Sequence, residues 1–140
     1  MEKSVVDKFF EFKNINEYSP LVLAYIGDAV YELYIRSMLI SDHNTQVNKL
    51  HKEATNYVKA KAQSELLEKI YDRLSEEEIT IFKRGRNAHS YTSAKNADIV
   101  DYRRATGFEA LIGYLYISGN KDRIFELLRE VISGIPSSME

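Results

Sequence analysis

The sequence predicts an all-α fold. Apolar residues recur at helical spacing along most of the 140-residue chain. Capping signals stand where those periodic runs begin and glycines where they end. No segment shows the strict alternation of a half-buried strand, and no internal repeat or linker divides the chain. Residues 1–140 therefore read as one domain, long enough to bury a substantial core, with a short tail at 135–140.

Each element has a local reason. Ser19-Pro20 supplies an N-cap and a favoured first helical residue, opening a helix that runs to about Ser41. A second helix begins near Asn44 or Thr45 and carries Val47, Leu50, Ala54, Tyr57 and Val58 at helical spacing. It either continues or breaks near Ser64, into "SELLEKIYDRL". Ser75-Glu76-Glu77-Glu78 is a capping box with acidic residues in the first turn, where the helix dipole favours them. "HSYTSAKNAD" (89–98) is rich in loop formers and interrupts the pattern. A further helix covers about 99 to 118 and stops near Gly119; Asn120 caps the last, which ends at Gly134.

Composition excludes several function classes. Hydrophobic residues at 44% and charged residues at 29% suit a soluble globular chain. Without cysteine there are no disulfides and no thiolate metal sites, which fits a reducing compartment. The N-terminus, MEKSVVDKFF, lacks the apolar run and cleavage site of a secretory signal. Residues 20–40 are long enough to span a bilayer, but three charges and several tyrosines argue for a core helix. A cytoplasmic location is the expectation. His43, His51 and His89 lack zinc-binding spacing, and no nucleophile elbow, phosphate loop or dinucleotide fingerprint occurs.

Two helices carry a charge problem. In "LAYIGDAVYELYIR" (23–36), Asp28, Glu32 and Arg36 recur every fourth residue through an otherwise apolar segment. In "ATGFEALIGYLYISG" (105–119), Glu109 is the only charge. A carboxylate is costly to bury alone. Convergence of Asp28 and Glu109 on a shared cation would resolve both cases, and carboxylate oxygens with retained waters are the usual way to hold Mg²⁺. Neutralisation by Arg36, Lys95 or another base, or an outward orientation on a half-exposed helix, would also resolve them, and on these residues alone is the favoured explanation.

Charge is also unevenly spread. Between Lys83 and Arg104 six cations face two aspartates, a local +4 in a chain whose net charge is −2. Such a window suggests either contact with a polyanion or a solvated face balancing acidic neighbours. "RGRNA" (84–88) places Arg84, Arg86 and Asn87 together, a group suited to phosphates, 2′-hydroxyls and base edges. Tyr91, in the polar loop, is a candidate for base stacking.

These residues carry a resemblance. "LAYIGDAVYE" is similar to the signature helix of the ribonuclease III family, and "GFEALIGYLY" to its partner near the end of the nuclease domain. "KRGRNAHSYTSAKNADIVDYRRATGFEALIGYLY" and "KLHKEATNYVKAKAQSELL" resemble more closely the small bacterial Mini branch, which has no separate duplex-binding domain. The resemblance spans about residues 20 to 118. It implies an all-helical nuclease domain, a homodimer, dependence on Mg²⁺ and cleavage of double-stranded RNA. For the Mini branch it further implies maturation of precursor 23S ribosomal RNA, and leaves open whether a ribosomal protein presents the substrate.

By position, Asp28 and Glu109 match catalytic, metal-binding carboxylates of the family. Full-size members have glutamates seven and four residues before that aspartate, where this chain has Leu21 and Ala24. They have an aspartate three residues before the later glutamate, where this chain has Thr106. The Mini branch has the same reduced set. Glu32, one turn beyond Asp28, reads as structural. Arg84, Arg86, Asn87, His89 and Lys95 are the expected RNA contacts. Tyr25 matches an aromatic interface position and is the expected intersubunit contact. A catalytically silent module that only binds structured RNA would keep the basic window without needing both carboxylates, so the pair Asp28 and Glu109 favours the enzyme.

Overall fold

A computed structural model describes residues 9–42, 44–88 and 98–133. His43, His89, Tyr91, Lys95, Gly134 and the tail at 135–140 lie outside the described residues. Among those described there are six α-helices and two short 3-10 turns, and no strand. The helices are α1 (Pro20–Asp42), α2 (Val47–Val58), α3 (Ala60–Ile70), α4 (Glu76–Asn87), α5 (Asp98–Ile117) and α6 (Lys121–Ser133).

Local chemistry accounts for most boundaries. The Ser19 hydroxyl accepts from Val22 N–H at 3.2 Å and opens α1. Ahead of it, Asn14 and Glu17 form a capping box around the turn Ile15–Glu17, an element that the sequence reading passed over. At α4, Glu78 N–H donates to Ser75 Oγ and Ser75 N–H donates to Glu78 Oε1, the expected reciprocal cap. α5 ends at Gly119, whose φ of +75° is the left-handed conformation that glycine adopts without strain. There Asn120 N–H donates to Leu115 O and Gly119 N–H to Tyr116 O, closing the helix C-terminus. No described helix is long and apolar enough to cross a membrane.

One boundary differs from expectation. The second periodic segment breaks at Lys59, not near Ser64. Lys59 is extended (ψ 154°), its N–H donating back to Thr55 O. Neither proline nor glycine marks this point. The carbonyls freed there are taken by side chains, one distant and one near in sequence: Tyr31 Oη donates to Tyr57 O at 2.8 Å, and Gln63 Nε2 donates to Val58 O at 2.8 Å. A tertiary demand, rather than local propensity, sets the break.

Helix α5 occupies the centre, with α1, α3, α4 and α6 packed around it and α2 laid on α1. Its residues Phe108, Leu111, Ile112 and Leu115 meet Tyr31 and Ile35 of α1, Leu67 and Ile70 of α3, and Leu127 and Leu128 of α6 in the main core. Tyr31 and Phe108 stack edge to face, with ring centroids 5.2 Å apart. Arg123 of α6 ties the periphery together. It grips Glu78 through two hydrogen bonds of 2.8 Å, and its Nη2 also donates to Arg73 O at 2.7 Å. Glu78, only 6% exposed, is therefore buried in its ionised form, its pKa held down chiefly by the Arg123 guanidinium.

The closest approach is between α1 and α5. A Cβ on Gly27 would lie 1.8 Å from the carbonyl oxygen of Glu109, and a Cβ on Gly113 1.9 Å from that of Leu23. Gly85 of "RGRNA" has the same task between α4 and α5, where a Cβ would meet Ala110 and Gly107. That glycine serves helix packing rather than phosphate binding. Because Glu109 O is backbone, no side-chain rearrangement relieves the clash. Gly27→Ala is expected to lower stability by about 3 kcal/mol or more, or to abolish folding. Urea denaturation of the variant beside wild type measures this, and a loss below about 1 kcal/mol would show that the helices can separate freely.

Candidate active site

The two-glycine crossing determines where Asp28 and Glu109 sit. Asp28 follows Gly27 directly, and Glu109 is the residue whose carbonyl lies against Gly27. On α5, Glu109 and Gly113 are one turn apart and share the face turned to α1. The structure thus brings together two carboxylates separated by most of the chain. Asp28 is exposed and Glu109 half-buried, close enough that the charge of one bears on the other.

The alternative sources of neutralisation are absent among the described residues. Arg36 turns to Glu32 in an exposed i,i+4 ion pair at 3.1 Å rather than to Asp28. Lys95 lies outside the described residues. Burial, followed by the charge of Asp28, pushes the Glu109 pKa up to about 8, with a smaller contribution from Glu32. One polar group opposes this: Gln63 Nε2 donates to Glu109 Oε2 at 3.2 Å. Tyr31 closes the inner wall, its pKa raised by burial. The Thr106 hydroxyl donates to Tyr102 O within its own helix at 3.0 Å.

Gln63 was not singled out in the sequence, where it sits in a helical run like any surface amide. The structure buries it to 2% exposure beside Glu109. Its Oε1 is the one buried side-chain polar atom without a partner among the described residues. Nothing in the local pattern announces this. The glycines did carry a signal: Gly27 and Gly113 stand inside helices, where glycine costs about 1 kcal/mol relative to alanine, and such positions point to close backbone approach.

The basic window is built separately. Arg84 and Lys83 are exposed on the last turn of α4. Arg86 lies over the Phe82 ring, 5.6 Å from its centroid, and its Nε donates to Asn87 Oδ1 at 3.1 Å. Arg84 also borders a cavity of about 400 Å³ lined by residues 15–20, Leu23 and Ile81. α4 meets α5 at Gly107 and Ala110, a different face from that of Glu109. The acid pair and the guanidiniums therefore occupy different sides of α5. His89 lies outside the described residues. Tyr25 is 81% exposed on α1.

The model of the Ribonuclease III domain family matches residues 21–120, which include both carboxylates, Gln63 and the α4 cations. The chain belongs to the ribonuclease III family. Within it, the Mini-ribonuclease 3 of Clostridium tetani is 52% identical over 134 residues, covering 95% of this chain and 89% of that one. That of Enterococcus faecalis is 48% identical over 132 residues, covering 93% and 98%. That of Thermoanaerobacter is 57% identical over 110 residues, covering 79% and 78%. A crystal structure of a Fusobacterium nucleatum protein superposes with a TM-score of 0.78 at 36% identity, covering 88% of this chain and all of that one. The chain is thus an endoribonuclease of the Mini branch, and the expected all-helical ribonuclease III-like fold holds.

The acid pair has a consequence for stability in the absence of divalent cations. The unfolded Glu109 titrates near the ordinary value of about 4.3, whereas in the fold it titrates at about 8. Between those values the folded chain holds a proton that the unfolded chain has lost, so wild-type stability falls as pH rises through that window. Glutamine has no proton to lose. In EDTA, the melting temperature of Glu109→Gln should gain on wild type progressively from about pH 5 to about pH 8. A difference that is constant with pH would refute the assignment.

Proposed function

We propose that this chain is a homodimeric, Mg²⁺-dependent endoribonuclease that cuts double-stranded RNA in the cytoplasm, maturing precursor 23S ribosomal RNA. The observation that carries the chemistry is the carboxylate pair, Asp28 and Glu109, drawn together by a backbone crossing and left without a cationic partner among the described residues. The pair fits Mg²⁺ in donor type. Both ligands offer hard oxygens, and their mutual repulsion is relieved by a cation. No group of three or more His, Cys, Asp or Glu gathers among the described residues, so solvent and phosphate oxygens would have to supply the remaining ligands.

Mg²⁺ supplies the positive charge that phosphodiester hydrolysis requires at the attacking water, the scissile phosphate and the leaving oxygen. The chain's own residues do the rest. Asp28 and Glu109 hold the cation, and Gln63 lies against Glu109 from inside. Arg84, Arg86 and Asn87, with His89 and Lys95 beyond them in the sequence, bind backbone phosphates and 2′-hydroxyls. Selection of duplex rests on shape, because the major groove of A-form RNA is too narrow for side chains to read.

A second copy of the chain fits the outer face of α1. Val22, Tyr25, Leu33 and Ile40 are 47%, 81%, 64% and 60% exposed and fall on one stripe of that helix. Asp28 borders the stripe, so a two-fold partner there would set two acid pairs across one axis, matching the local two-fold symmetry of a duplex.

The activity is tested by incubating the protein with duplex, single-stranded and hybrid substrates in Mg²⁺ or EDTA. Cutting should be confined to duplex RNA with Mg²⁺. Asp28→Asn and Glu109→Gln should each lower the rate by about 10³-fold or more, in folded proteins that still bind duplex. Wild-type rates in either variant would remove these residues from the chemistry. The assembly is tested by sedimentation equilibrium, which should report twice the chain mass. Tyr25→Asp should dissociate the pair and depress cleavage, since it buries a charge in the interface; a monomeric wild type with full double-strand cleavage would exclude the dimer.

A further inference from the structure

Gln63 is the one buried polar side chain beside the acid pair with no part in the reaction as described. Its orientation is unambiguous. Val58 O can only accept, so the atom 2.8 Å from it must be the amide nitrogen. The same nitrogen reaches Glu109 Oε2 at 3.2 Å, so both N–H groups are spent. One runs to the carbonyl freed by the α2–α3 break, the other to the carboxylate on α5. Lys59 has no sequence reason to break the helix, yet the break is what frees Val58 O for this bond.

The arrangement has a cost. With both donors committed, Gln63 Oε1 remains buried and unpaired, a condition that destabilises a fold. An apolar side chain of similar volume would avoid that cost, and Val58 O would be the only backbone acceptor it left behind. An amide kept in place against its own desolvation marks a polar task at this position. The partner it reaches names that task.

We propose that Gln63 is the positioning residue of the cation site: it fixes the Glu109 carboxylate relative to Asp28 and sets the affinity of the pair for a divalent cation. The inference rests on the reading of Asp28 and Glu109 as cation ligands. Glu109 sits on α5 and Asp28 on α1, so their relation depends on the helix crossing and on the Glu109 side-chain torsions. The crossing is fixed by glycine contacts. Among the described residues, Gln63 is the only neutral side chain hydrogen-bonded to the Glu109 carboxylate, so it alone restrains those torsions by neutral hydrogen bonding. Outer partners that orient a ligand typically change metal affinity by about 10–100-fold when removed.

The test uses Gln63→Met, which keeps length and volume and removes both donors. Mn²⁺ binding to the RNA-free protein is measured for wild type, Gln63→Met and Asp28→Asn. Wild type should bind, Asp28→Asn should not, and Gln63→Met should bind about tenfold more weakly or worse. In cleavage assays the same variant should need about tenfold more Mg²⁺ for half-maximal rate, with most of the rate recovered at saturation. A variant that only melts earlier, with wild-type Mn²⁺ affinity, would reduce Gln63 to a cap for Val58 O and overturn the proposal. Wild type that binds no Mn²⁺ overturns the underlying ligand reading instead. If Gln63→Met does not fold, the wild-type protein decides. The side-chain NH₂ resonance of Gln63 should shift on Mg²⁺ addition, and a resonance that stays still refutes the role.

Discussion

The contact between the α1 and α5 backbones at Gly27 and Gly113 constrains everything else in this molecule. Helices normally pack with 8–10 Å between axes because side chains separate them. Here each helix presents a glycine to a carbonyl of the other, and no Cβ fits at either point. That closeness makes Asp28 and Glu109 neighbours, since one follows a crossing glycine and the other bears the carbonyl it touches. The surrounding core secures the crossing. Phe108, Leu111 and Ile112 of α5 interlock with Tyr31 and Ile35 of α1, so the helices have no room to slide.

Such a site works against the fold. Two carboxylates held together, one of them half-buried, repel each other, and Glu109 responds by keeping its proton to about pH 8. The break at Lys59 and the orphaned Gln63 Oε1 add to the cost within the same few ångströms. The stabilising features lie elsewhere: the fully buried apolar residues of α3, α5 and α6, and the Arg123–Glu78 clamp at the periphery. The clamp shows the contrast. Glu78 is less exposed than Glu109, yet its pKa falls because a guanidinium meets both its oxygens. Burial raises a carboxylate's pKa only where no cation answers it, and a second acid raises it further.

Much of this was legible in the chain. Caps at Ser19, Ser75 and Asn120 and the stop at Gly119 all lie where helices begin or end, because capping is chemistry of adjacent residues. Asp28 and Glu109 stood out since an isolated acid in an apolar helix has few explanations. What escaped was set by partners distant in sequence. The break at Lys59 depends on Tyr31 and Gln63, and Gln63 depends on Glu109, 46 residues away. Glu78 read only as a capping residue, because the sequence does not reveal that Arg123 closes over it. Nothing in "RGRNA" announces that Gly85 lets α4 lie against α5.

The separation of charge across α5 bears on how such a small domain handles a polyanion. Phosphates approaching Asp28 and Glu109 without a cation meet negative charge, so the acid pair by itself repels substrate. Under the proposed function, attraction comes from the guanidiniums at the end of α4. Arg86 is held there by the Phe82 ring and by Asn87, which limits the torsional freedom lost when it binds. Under the proposed function, binding and chemistry would draw on different charges on different faces of one helix. Only a substrate broad enough to touch both sides, of the same chain or of two chains related by a two-fold axis, engages them together. A duplex meets that condition through its width and regular phosphate spacing, whereas a flexible single strand must lose far more conformational entropy to do so. Under the proposed function, the geometry of α5 thus contributes to duplex selectivity without any side chain reading a base.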